Sequence, residues 1–122
     1  MIQMSFSYVL IMELYSDSIL QIGKLGTITL SRGTYAYIGS AHSEKRLERH
    51  LRSKKKIHWH IDYFLQKAKI TAIYISKKPE CELAQKIALP YIPGFGCSDC
   101  RCPSHLFYGH VPFLQKLIQY YP

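Results

Sequence analysis

The apolar positions of this chain follow two rhythms. Ser7–Tyr15 (SYVLIMELY) is an almost unbroken apolar run of strand length, which predicts a buried strand. Ile19–Ile22 and Thr27–Leu30 alternate apolar and polar residues around Gly23-Lys24-Leu25-Gly26, the pattern of a β-hairpin. After the Ser31-Arg32-Gly33 turn, Thr34–Gly39 (TYAYIG) predicts a further strand, with Tyr35 and Tyr37 on one face because strand side chains alternate. The rhythm then becomes helical. Ser43–Ser53 predicts a helix with Ser43 as its N-cap. Ile57, Ile61, Phe64, Leu65 and Ala68 keep helical spacing and predict a second helix across HWHIDYFLQKA. Ile70–Ser76 returns to a strand, and Pro79–Leu89 predicts a third helix with its proline in the first turn. Pro90–Pro103, crowded with Pro, Gly and Cys, predicts irregular chain; His105–Tyr108 reads as a short strand and Val111–Tyr120 as a closing helix. The layout is α+β: a small, mostly antiparallel sheet flanked by helices.

Length makes this one domain over residues 1–122. Its longest apolar runs, YVLIM and ITAIYI, are too short to span a bilayer, so no membrane location is expected. No basic-then-apolar leader opens the sequence, which leads us to expect a cytoplasmic rather than a secreted form. Charge changes the picture more. Sixteen Lys and Arg against eight Asp and Glu give +8, a balance suited to a polyanionic partner. The excess is concentrated: Lys45, Arg46, Arg49, Arg52, Lys54, Lys55 and Lys56 stand against only Glu44 and Glu48 in the same stretch. That clustering favours a binding face over charge spread for solubility.

On the wheel of the first helix, Leu47 and Leu51 form the expected core stripe, and Lys45, Arg49 and Arg52 share the outer side. Arg46 and His50, four apart, sit on a flank beside the apolar stripe. In the third helix, Glu80 lies on the same stripe as Leu83, Ala84 and Ile87, whereas Glu82 faces elsewhere and is placed to pair with Lys86. A carboxylate along a core face needs a cation, a metal or hydrogen-bond donors. His58, His60 and Asp62 leave a metal site open, but are read first as structural histidines with their neighbouring acid, or as phosphate contacts near the lysine run. Cys97, Cys100, Cys102 and His105 have ligand types that suit zinc. Four ligands within nine residues are cramped, so structural zinc, reduced thiols and a disulfide all stay open.

Several segments together resemble a known family. GTYAYIGSA followed by RLERHLR, with SYVL, GKLG, HWHIDYFL, ECELA and FGCSDCRCPSHLF in order along nearly the whole chain, is similar to the GIY-YIG nuclease superfamily, and more closely to its stand-alone Uri-type endonucleases. The resemblance implies a metal-dependent endonuclease that hydrolyses DNA phosphodiester bonds in repair or processing, with RNA as another substrate class. Some members are fused to endonuclease III-like glycosylases, which implies association with a base-excision glycosylase. Residue by residue, it implies Tyr8 and Tyr37 as the motif tyrosines and Arg46 as the phosphate clamp. It implies His50 as a proton relay and Glu80 as the holder of a single Mg²⁺ or Mn²⁺. Lys45, Arg49, Arg52, Lys54, Lys55 and Lys56 would then bind the nucleic-acid backbone. Two features depart from the family pattern: Phe6 stands where glycine is usual, and the Ile19–Leu30 hairpin separates Tyr8 from Tyr37. The alternative from another class is a non-catalytic nucleic-acid-binding module that keeps the fold as a scaffold.

Overall fold

The computed structural model describes residues 6–52, 55–86, 90–96 and 104–109. Four strands form one antiparallel sheet: β1 (Phe6–Leu14), β4 (Gly33–Ala41), β5 (Ala68–Ser76) and β6 (Leu106–Tyr108), in spatial order β5-β1-β4-β6. β2 (Ser18–Ile22) and β3 (Gly26–Leu30) pair as a separate hairpin. Among the described residues three α-helices, α1 (Lys45–Leu51), α2 (His60–Phe64) and α3 (Glu80–Lys86), complete the α+β architecture. No helix among the described residues is long and apolar enough to cross a membrane.

The unbroken apolar character of β1 is explained by its place at the centre of the sheet, where it is covered on both faces. Its even positions, Tyr8, Leu10, Met12 and Leu14, pack with Tyr35, Leu47, Ile61, Phe64, Phe95, Leu106 and the hairpin residues Leu20, Ile22 and Leu30. Its odd positions, Val9 and Ile11, pack with Ala36, Ile38, Leu83, Ala84 and Phe107 on the opposite face. The hairpin and α2 therefore cover one side of the sheet and α3 the other.

The helices differ from the sequence expectation in extent and in facing. The first runs over Lys45–Leu51 rather than Ser43–Ser53; Ser43 Oγ accepts from the Lys45 N–H at 3.4 Å, one residue ahead of the cap position at Glu44. Leu51, assigned above to the core stripe, is 59% exposed, and buried His50 takes the inward place beside Leu47. The second helix contains only five residues. Trp59 is extended, and Asp62 Oδ2 accepts the Trp59 and His58 N–H groups at 2.8 and 2.9 Å, so the helix starts at His60. Ala68 begins β5, paired with Leu14. The helical spacing from Ile57 to Ala68 thus joins three consecutive segments. The Glu82 carboxylate lies 3.8 Å from Lys78 Nζ; the side chain of Lys86, its expected partner, lies outside the described residues. The stretch 90–96 follows β6, with Ile92 N–H donating to Leu106 O and His105 N–H to Phe95 O. The closing helix expected at Val111–Tyr120 lies outside the described residues.

Candidate active site

Strand pairing builds the floor of the site. β1 and β4 are in register with Tyr8 opposite Gly39, and the Tyr8 ring lies over the glycine. A Cβ at Gly39 would approach Tyr8 Cζ to 2.5 Å, so only glycine accommodates the tyrosine there. Tyr37 stands on the same face, its ring centroid 6.5 Å from that of Tyr8. The long hairpin insertion does not separate the two tyrosines, because it leaves the sheet and packs on α2 while β1 and β4 stay adjacent.

Helix α1 adds Arg46 and His50. His50 Nε2 lies 2.7 Å from Tyr8 Oη, with both groups buried. Among the described residues, His50 Nδ1 is the one buried side-chain nitrogen or oxygen without a hydrogen-bond partner. Burial first, and the Lys55 ammonium second, push the imidazole down to about 4, so it is neutral at pH 7. Burial pushes the Tyr8 and Tyr37 hydroxyls up; the Arg46 cation opposes that shift in both, while Glu80 adds to it. Both tyrosines are phenols in the resting protein. Arg46 donates through Nη1 to the Ser40 carbonyl, and its guanidinium carbon lies 4.7 Å from the Trp59 ring centroid. These contacts fix a cation beside the two tyrosines.

Glu80 reaches the same cleft from the other face of the sheet, in the first turn of α3. Ser40 Oγ donates to its Oε1 at 3.2 Å, and His105 Nδ1 lies 3.4 Å from its Oε2. The cleft has a volume of about 820 Å³. Tyr8, Tyr37, Arg46 and Glu80 line it together, with Trp59, His60 and Lys24 also in its walls. Among the described residues no three His, Cys, Asp or Glu side chains form a metal cage. A single hard carboxylate with one oxygen facing a hydroxyl fits a divalent cation of the Mg²⁺ type, whose remaining ligands are water and phosphate oxygens.

The domain of unknown function DUF123 matches residues 7–120, nearly the full chain. The chain belongs to the DUF123 family. Neither a curated protein nor a solved structure matches it significantly.

In this DUF123 domain the cationic stretch divides into two groups. Lys45, Arg52 and Lys56 are exposed. Arg49 is part-buried and engaged: its guanidinium makes a two-pronged pair with Asp62 at 2.8 and 2.9 Å, donates to the Lys56 carbonyl and lies 4.4 Å from the Trp59 ring centroid. That pair and two backbone N–H groups hold the fully buried Asp62 below the usual carboxylate range, against its burial. Lys55 Nζ donates to the Arg49 and His50 carbonyls at the end of α1, capping the helix. Lys54, Cys97, Cys100 and Cys102 lie outside the described residues. His105, grouped with those cysteines by sequence, is buried beside β4, with Nδ1 3.1 Å from the Ile38 carbonyl oxygen. His60 Nδ1 accepts the Gly96 N–H at 2.9 Å, which supports the structural reading of that histidine.

Sequence reading missed Ser40, Trp59 and Asp62 as parts of the site's framework. Each carried a signal. Ser40 is a polar residue directly after the glycine of a strand, Trp59 is the only tryptophan of the chain, and Asp62 is the only acid in a basic and aromatic run. None of these signals specifies a partner, because the partners lie on other elements.

Proposed function

We propose that this chain is a metal-dependent endonuclease that hydrolyses DNA phosphodiester bonds, acting in the cytoplasm in repair or processing. One observation carries the reading: Tyr8, Tyr37, Arg46 and Glu80 converge on one cleft from four separate elements, with His50 hydrogen-bonded behind Tyr8. Each side chain has a task suited to its surroundings. Arg46, steadied by the Ser40 carbonyl and Trp59, presents guanidinium N–H groups to a phosphate and stabilises the charge that grows on its oxygens. Tyr8 and His50 form a proton path: a proton taken at Tyr8 Oη from the attacking water is matched by one passed to His50 Nε2. With both hydroxyl pKa values raised, this path does not draw on a resting phenolate. Tyr37 orients the water from the neighbouring strand. Glu80 holds the divalent cation, which would supply charge neutralisation at the leaving oxygen when bound. Lys45, Arg52 and Lys56 add sequence-independent phosphate contacts.

The test is cleavage of supercoiled, nicked, branched and single-stranded DNA, and of RNA, with Mg²⁺ or Mn²⁺. Wild-type protein is compared with Glu80→Gln and Arg46→Ala. We expect Glu80→Gln to cut at least about 100-fold more slowly while binding DNA nearly as well. Undiminished cleavage by Glu80→Gln would remove the cation role. DNA binding by a wild-type protein that cuts none of these substrates would favour the scaffold reading.

A further inference from the structure

The roles proposed above leave the β2–β3 hairpin without a task, yet its turn reaches the cleft. Among the described residues that line the cleft, Arg46 and Lys24 are the two permanent cations; Lys45, Arg52 and Lys56 are not in its walls. Arg46 comes from α1 and is engaged with the Ser40 carbonyl and the Trp59 ring. Lys24 comes from the turn between β2 and β3 and is exposed. Its side chain makes no ion pair or hydrogen bond with another described residue.

The turn itself is held firmly. Ile22 pairs with Gly26, and the Gly26 N–H donates to the Gly23 carbonyl around one turn of 3₁₀ helix, Gly23–Leu25. Gly23 and Gly26 have φ of +46° and +89°, a backbone shape that favours glycine at both ends of the turn. Leu25 packs against the core, and an added Cβ at Gly94 would lie 3.1 Å from its Cδ1. β2 packs on α2, whose Tyr63 also lines the cleft. The Lys24 side chain therefore starts from a fixed point of the cleft wall.

A nucleic-acid strand carries one phosphate per about 3.4 Å of duplex axis, so a site that seats one phosphate also meets its neighbours. With a volume of about 820 Å³, the cleft extends beyond the reacting group. Arg46 and the cation at Glu80 serve the phosphate that is cut. A neighbouring phosphate needs a charge of its own, and an ammonium on a flexible stem binds phosphate as a point charge. We propose that Lys24 binds a phosphate flanking the scissile one, so that the hairpin turn sets the register of the strand across Tyr8 and Tyr37. This rests on the reading of the cleft as an endonuclease site.

The experiment measures cleavage kinetics on an oligonucleotide that the wild type cuts. Uncharged methylphosphonates replace, one at a time, the phosphates on either side of the mapped cut. We expect Lys24→Ala to raise KM about 10-fold with kcat nearly unchanged, and Lys24→Arg to recover most of that loss. The slope of log affinity against log salt should fall by about 1 in Lys24→Ala. One methylphosphonate position should raise KM about 10-fold in the wild type and add little in Lys24→Ala, because both changes remove the same contact. A wild-type KM in Lys24→Ala, a fall in kcat alone, or losses that add at every position would overturn the role of Lys24. Inactivity of Arg46→Ala and Glu80→Gln in the same assay would then leave the site reading standing. If those two variants cut like the wild type, or the wild type cuts nothing, the site reading falls and takes this inference with it. The wild type alone also decides the matter should Lys24→Ala not fold: indifference to charge at every flanking position would overturn the proposal.

Discussion

At position 39 the chain has no room for a side chain. Gly39→Ala would drive a methyl group into the Tyr8 ring, which is itself anchored to His50. Overfilling of this kind costs about 1–3 kcal/mol, and we expect thermal unfolding to report a loss in that range together with strongly reduced cleavage. His50 gives a residue-scale prediction in pH. Its folded pKa of about 4 lies below the ordinary 6.5, so folding favours the neutral ring. The stabilisation from this group is complete above pH 6.5 and is lost as pH falls towards 4, roughly 3 kcal/mol in all. His60, also lowered by burial, acts in the same sense. The melting temperature of His50→Gln should therefore fall less steeply than that of the wild type between pH 7 and 4.5. Parallel profiles would mean that burial does not suppress the charge on His50.

At the scale of elements, α1 and α2 are joined by the pair between Arg49 and fully buried Asp62. Arg49→Ala would leave Asp62 with two backbone donors and no countercharge, and would remove a cation from the Trp59 ring. We expect a loss of about 2–3 kcal/mol in denaturant unfolding, somewhat below the usual penalty for stranding a buried ion because the backbone donors remain. Lys45→Ala, Arg52→Ala and Lys56→Ala, at exposed positions, should each change stability by less than about 0.5 kcal/mol. A stability loss from Arg49→Ala no larger than theirs would show that the pair does not join the helices.

For the molecule as a whole, the exposed cations and the cleft make separate contributions to nucleic-acid handling. Replacing Lys45, Arg52 and Lys56 together by Ala should weaken DNA binding and reduce the slope of log affinity against log salt by about 2–3, close to one per lost phosphate contact. The same triple variant should retain measurable cleavage at low salt, since the cleft residues are untouched. An unchanged slope would place the binding face elsewhere on the molecule.

The strands were legible from the sequence because the alternation of side chains is a local property of extended chain. The hairpin and the starts of β1 and β4, to within one residue, follow directly from apolar spacing, whereas β5 begins at Ala68, two residues before the strand that spacing predicts. Arg46 and His50 were legible as a pair because a helix repeats every 3.6 residues whatever surrounds it. Glu80 was singled out for the same reason, as a carboxylate on the stripe of Leu83 and Ala84. Tertiary structure decided what periodicity could not. It turned Leu51 outward and His50 inward, because the face of a short helix is set by what it packs against. It ended the second helix at Phe64, because the backbone beyond it turns and joins β1. It withdrew Arg49 and Lys55 from the solvent face by giving them Asp62 and two carbonyl groups as partners. It also brought His105 to Glu80. The approach of His105 to Glu80 joins residues far apart in the chain, so only the pairing of β4 with β6 and the packing of α3 on that sheet could fix it, whereas the Arg49 and Lys55 contacts are set by how the segment after α1 folds back on that helix.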